Sequence, residues 1–233
     1  MSKLKFIRKI YREKDIKNIE EKIDLMGNTK WNAIKFMNYR LLTTILFAFF
    51  IILCTNLGYI FIVFLTGLYY FLFYYIFITR QINLRRDKLD REALYFFEVL
   101  TLTLESGRNL ENSIGLTVMN VDSELSYEFR KSLNETKYGK TLIEALNDLK
   151  RRIPSETINN IILNIMQTSV FGNSIIDTMN NQIEFLRDKQ ILEIKGKINK
   201  IPNKVSIISV LFIIPLILLL VLGPVLIQFI MKG

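Results

Sequence analysis

Between Leu41 and Ile78 the chain carries no charged residue over thirty-eight positions. No other stretch restricts the fold so tightly. A helix needs about 20 residues to cross the hydrocarbon of a bilayer. Backbone polar groups there must be satisfied within the protein, which favours helices. The run is too long for one span and suits two, turning at Thr55-Asn56 and Gly58 near its middle. Tyr39 and Arg40 stand before it and Arg80 after it, as residues of the membrane–water boundary do. Val205 to Ile230 forms a third apolar stretch, with Pro215 inside and Gly223-Pro224 near its far end. Proline in a membrane helix commonly makes a kink. Pro202, Pro215, Gly223 and Pro224 are therefore expected to shape the last span, Pro202 by stopping the preceding helix.

Three spans leave residues 1–40 and the middle block on one side of the membrane. Those two segments hold 30 of the 31 Lys and Arg. The positive-inside rule makes that side the cytoplasm. Residues 1–40 hold eleven basic against five acidic side chains, and residues 80–204 nineteen against seventeen. The net charge of +9 is thus mostly a juxtamembrane arm. It reads as attraction to anionic lipid and topology control, not as a nucleic-acid face. No Asp, Glu, Lys or Arg lies within a span, which argues against a transporter or pump.

The arm, residues 1–40, reads as an amphipathic helix over 3–26. Phe6, Ile7, Ile10, Ile16, Ile19 and Ile23 recur at helical spacing, and Gly27-Asn28 ends the pattern. A second helix runs from Thr29 into the membrane, with Trp31, Ile34 and Met37 on one side. Two readings stand: an arm lying on the bilayer surface, and a solvated extension. A cleavable signal peptide does not fit, because the charged part is too long and no small-residue cleavage site follows.

Residues 84–204 have the size of one soluble domain. Their apolar residues follow helical stripes: Leu89, Ala93, Phe96/Phe97, Leu100 and Leu104; Leu125, Phe129 and Leu133; Ile158, Ile161/Ile162 and Ile165; Ile176, Met179, Ile183 and Leu186. About six helices are predicted, over 86–106, 110–120, 123–137, 142–152, 155–171 and 174–199. The fold class is all-α. A transmembrane hairpin at 41–79 and a C-terminal transmembrane helix at 205–231 flank a cytoplasmic helical bundle at 84–204.

The block echoes itself. Gly107-Arg-Asn-Leu110 returns as Gly139-Lys-Thr-Leu142 and again as Gly172-Asn-Ser-Ile175. Each glycine is placed to be the left-handed residue after a helix. A polar N-cap follows two positions on, at Asn109, Thr141 and Ser174. Thr141 with Glu144, and Ser174 with Asp177, have capping-box spacing. The glycines make turns, and the turns carry Arg108 and Lys140. With Arg151 and Arg152 these are the candidate partner contacts.

Catalytic chemistry finds little footing. Histidine is absent, which removes its acid–base and metal-ligand roles. Cys54, the one cysteine, sits in an apolar run and reads as a small hydrophobe. No phosphate loop, G-x-S-x-G elbow or Cys/His cluster occurs. Glu98, Glu105, Glu128 and Glu135 read as solvated or hydrogen-bonded surface groups. No catalytic, metal or cofactor site is expected.

The layout, with its glycine turns, Lys200-Ile-Pro202-Asn-Lys204 and Leu222-Gly-Pro224, resembles the type II secretion system F-domain family over roughly residues 80–230. A single F domain makes it most similar to TadB and TadC of tight-adherence (Tad/Flp) pilus systems. The resemblance implies a non-catalytic, multi-pass platform protein of the bacterial cytoplasmic (inner) membrane. It implies coupling of a cytoplasmic secretion ATPase to pilin assembly or export. Its expected partners are that ATPase, a paralogous platform protein or a second copy, pilin subunits and membrane lipid, with no nucleic acid and no cofactor. The alternatives are a membrane-anchored helical adaptor for a cytoplasmic regulator and an interfacial enzyme using scattered carboxylates. The repeat and the proline pattern favour the platform over the adaptor, and the missing motifs weigh against the enzyme.

Overall fold

The computed structural model describes residues 13–27, 31–54, 59–171 and 174–231, and among them there are helices and turns but no strand. In chain order the helices are α1 (Glu13–Leu25), α2 (Ala33–Cys54), α3 (Tyr59–Tyr74), α4 (Arg80–Glu105), α5 (Leu110–Asn120), α6 (Glu124–Lys137), α7 (Leu142–Arg152), α8 (Glu156–Phe171) and α9 (Ile175–Met231). A π-helical turn, Tyr75–Thr79, joins α3 to α4. Phe6, Ile7 and Ile10, the hairpin turn at 55–58, residues 28–30, Gly172 and Lys232 lie outside the described residues.

Three helical segments are long and apolar enough to cross a membrane: Ala33–Leu53, Ile60–Glu105 and Val205–Leu222. The second corrects an expectation. The first soluble helix does not start afresh near residue 86, because α3, the π turn and α4 make one uninterrupted helix. Arg80, Arg85, Arg86 and Lys88 end the apolar run, but they are good helix formers. Charge ends the fitness for hydrocarbon without ending the hydrogen-bond ladder. Pro202 likewise does not stop the last helix, since α9 continues through Pro202, Pro215, Gly223 and Pro224. A proline removes one ladder bond at a cost of about 3 kcal/mol in a helix interior. Long helical runs flank Pro202, and its ring is exposed, so the bonds on either side persist.

The membrane hairpin zips through aromatic rings. Phe47 stacks on Tyr69 with centroids 4.3 Å apart, and Phe36 meets Phe73 at 6.0 Å. The Arg40 guanidinium lies over the Tyr70 ring, 4.1 Å from its centroid, and donates to the Tyr70 hydroxyl. Ile45, Phe49, Ile60 and Val63 point outward, as lipid-facing side chains would.

The arm helix packs on this hairpin. Ile19 and Ile23 are buried with Ala33, Phe36, Met37, Phe73 and Ile78. Over α1 the arm is therefore neither a helix with its apolar face in lipid nor a solvated extension. Protein side chains cover that face instead, at about 1.5–3 kcal/mol per buried large aliphatic residue.

The bundle core follows the predicted stripes. Leu89, Ala93, Phe96, Phe97 and Leu100 of α4 are fully buried. Phe96 packs on Phe129 of α6 at 4.6 Å and on Phe97 at 5.4 Å, edge-on. Ile114, Leu125, Ala145, Leu149, Ile158, Ile161 and Ile162 complete the interior. The chain divides into two compact units, Met1–Ile183 and Glu184–Gly233. Met179 and Ile183 are buried residues of the first. The second is the remainder of α9 and includes the third apolar span.

Candidate functional site

The charged residues that matter most are not at the surface. Arg85 falls one turn before Leu89 on the buried stripe of α4, so the stripe carries its guanidinium into the bundle, where the residue is 6% exposed. Its Nε and Nη2 donate to Glu124 Oε1 and Glu128 Oε1, each at 2.6 Å. Its Nη1 donates to two backbone carbonyls, Leu25 at 2.9 Å and Arg152 at 2.7 Å. Those are the last residues of α1 and α7. A cation at a helix C-terminus meets the negative end of the helix dipole and satisfies carbonyls that have no ladder partner.

The same helix holds two other helices by the opposite end. Glu92 Oε2 accepts from the Leu125 amide in the first turn of α6, at 3.0 Å. Asp90 accepts from the hydroxyl of Ser155, which is wholly buried, and Ser155 Oγ accepts from the Ile158 amide at the start of α8. Three residues within two turns of α4 thus engage four helix ends. The basic one meets C-termini, and the two acidic ones meet N-termini.

From Arg85 an alternating string of charges crosses the bundle. Arg152 Nε donates to Glu128 Oε2 at 3.2 Å, Nη1 to Glu135 at 2.9 Å and Nη2 to Ser132 at 2.7 Å. Lys140 then bridges Glu135 at 2.9 Å and Asp148 at 2.7 Å. At the other end Lys88 pairs with Glu124 at 2.9 Å. Burial raises the Glu124 carboxyl, but hydrogen bonds from Arg85 and Lys88 outweigh it and hold the group below the usual glutamate range. The Lys140 ammonium depresses Asp148 in the same direction.

Of the four candidate contact residues, Arg152 is largely buried and bonded within the protein. Lys140 is half exposed and doubly paired. Arg151 is open to solvent, 3.8 Å from Asp148, and Arg108 is exposed on the turn before α5. Glu128, expected at the surface, is buried against Arg85 and Arg152. A charge in register with an apolar stripe marks both Arg85 and Glu128 in the sequence.

The turns at Gly107 and Gly139 have the expected chemistry. Gly107 and Gly139 have φ of +81° and +98°. After α6 the Gly139 amide donates to Thr136 O and the Lys140 amide to Glu135 O, the paired bonds of a Schellman turn. Asn109 accepts from the Asn112 amide at 2.9 Å. Thr141 and Glu144 form a complete capping box. Ser174 accepts from the Asp177 amide at 3.3 Å.

A family model described as type II secretion system (T2SS), protein F, matches residues 96–223. The chain belongs to that family. No curated protein and no solved structure matches it. The protein F family consists of inner-membrane platform proteins of secretion and pilus systems. The matched segment of this protein F member begins inside α4, so Arg85, Lys88, Asp90 and Glu92 precede it, while Glu124, Glu128 and Arg152 lie within it. The charge string therefore ties the family segment to the root of the helix that leaves the hairpin.

Proposed function

We propose that this chain is a non-catalytic platform protein of a tight-adherence-type pilus or type II secretion machine, coupling a cytoplasmic ATPase to pilin assembly or export. The helix from the second apolar span into α4, gripping four helix ends through Arg85, Asp90 and Glu92, carries this reading. A push on the bundle is delivered to a membrane helix without a flexible joint between. The bundle faces the cytoplasm, in keeping with the basic bias of its flanks. Pro215 and Pro224 bend the last span where it meets pilin or a paralogous platform subunit.

The test is deletion of the gene, scored for surface pilin and for pilin retained in the membrane. Coupling predicts pilin made and retained but no surface fibre, with restoration by the native chain and not by Arg85→Leu at equal abundance. Normal fibres in the deletion strain sink the proposal.

A further inference from the structure

A groove of about 610 Å³ runs between α5 and α6. Gly115, Leu116, Met119 and Leu133 line it, with Arg108 and Lys137 at its edge. Met119 is 79% exposed, and a flexible thioether suits a surface that adapts to a partner. Among the described residues, neither Arg108 nor Lys137 makes an ion pair. Arg130 donates to the Val118 carbonyl near the C-terminus of α5. Glu111, the acidic residue of the lining, accepts from the Thr136 hydroxyl at 2.9 Å and so ties α5 to α6. Two unpaired cations therefore dominate the margin.

Gly115 gives the groove a second, independent mark. It lies within α5, where glycine costs about 1 kcal/mol against alanine. Its φ is not positive, and a Cβ there would meet only Leu133 Cδ1, at 4.0 Å, an ordinary contact. Among the described residues nothing needs a glycine at this place. What its bareness does is lower the wall of the groove, so that another backbone can approach α5.

We infer that the groove between α5 and α6 docks an amphipathic helix with an acidic flank, contributed by a cytoplasmic partner protein. Apolar anchors at i, i+3/i+4 and i+7 would lie on Leu116, Met119 and Leu133, and carboxylates would meet Arg108 and Lys137. The eleven residues of α5 span about 16 Å, enough for three turns of such a helix. The inference rests on the platform reading only for the side of the membrane on which the partner is found.

The test uses the full-length chain in nanodiscs and a labelled model peptide of about three to four turns, with leucines on one face and glutamates flanking them. A second peptide carries lysines in place of the glutamates. Anisotropy should show the acidic peptide binding at least tenfold more tightly than the basic one. Arg108→Glu with Lys137→Glu should invert the preference. Gly115→Ala should raise the melting temperature yet weaken the acidic peptide at least tenfold, an effect that loss of folding cannot mimic. Equal binding of both peptides, no binding of the acidic one, or unchanged affinity in Gly115→Ala overturns the inference. So does crosslinking from residue 108 to a second copy, which would make the groove a self-contact. None of these results alters the deletion phenotype, so this inference and the platform reading fail separately.

Discussion

Gly27 and Arg85 are in such close contact that a Cβ on Gly27 would stand 2.7 Å from Arg85 Nε. Gly27 also has φ of +88°, in the left-handed region. Turn and hub are thus built against each other: the residue that ends the arm helix must lack a side chain because the guanidinium occupies its place. Gly27→Ala should lose about 1–3 kcal/mol from backbone strain and displacement of Arg85. Thermal unfolding in detergent, with protease cleavage near the arm, reads both effects. Native stability in this variant would show that arm and hub are independent.

Removing Arg85 alone should be worse than removing its whole ion pair. Arg85→Leu leaves Glu128 buried without its nearest cation, a loss of about 3–5 kcal/mol. Arg85→Leu with Glu128→Leu should recover a large part of it. The comparison is a double-mutant cycle on unfolding midpoints, and strict additivity would count against a coupled hub.

Acid should loosen the same junction. Glu124 titrates below the ordinary glutamate value in the folded chain. A depressed carboxylate contributes stability that is fully present above its unfolded value and is lost as pH falls through the folded one. The decline should begin below about pH 4.3, and Glu124→Gln should flatten it. Melting temperatures between neutral and strongly acid pH decide this. A decline of the same slope in the variant would place the sensitive group elsewhere.

The glycine turns should fail in proportion to their local geometry. At Gly107 no atom lies within 4 Å of a built Cβ, so Gly107→Ala meets only the conformational penalty, about 1–2 kcal/mol. Gly107→Asn should cost less, because asparagine tolerates the left-handed region. Asn109→Ala removes the N-cap of α5 for about 1 kcal/mol. Circular dichroism melts of the three variants give the order.

Orientation can be read in cells. Alkaline phosphatase fused after residue 84 should be inactive and fused after residue 233 active, if the bundle is cytoplasmic. The reverse pattern would turn the platform upside down.

What the sequence disclosed was what local spacing controls. Thr141 and Glu144 are three residues apart, so their capping box is visible in the string of letters. The stripe through Leu89, Ala93 and Phe96 is equally local, and spacing of this kind puts the four inner bundle helices close to their true limits, while the first and last run on into the apolar spans. The hub was hidden because its members are distant: Arg85 and Glu128 are separated by forty-three positions, and the carbonyl of Leu25 by sixty. Charge composition describes Arg85 as one more cation of a basic flank; its register with the stripe through Leu89 marks it as interior, and only packing supplies its partners. The cover of the arm helix is hidden for the same reason. Ile19 and Ile23 signal an apolar face, and nothing nearby says whether lipid or Phe36 and Phe73 will cover it.

The π turn between Tyr75 and Thr79 has a geometric consequence for the whole junction. Its closing bond runs from the Arg80 amide to the Tyr75 carbonyl, one residue longer than an α-helical bond. In an even α-helix an extra residue would turn everything beyond it by about 100°, and the wider π turn takes that residue up. Phe73 and Ile78, five residues apart, therefore share one face and one buried cluster across the turn, where an even α-helix would set them more than a quarter turn apart. Excising one residue from Tyr75–Thr79 would close the bulge into an even helix that still presents Arg85 to Glu124 and Glu128. Adding a residue within the α-helical part of α4 before Arg85, with no π turn to take it up, would instead swing Arg85 off Glu124 and Glu128, leaving the shaft intact and its key out of the lock.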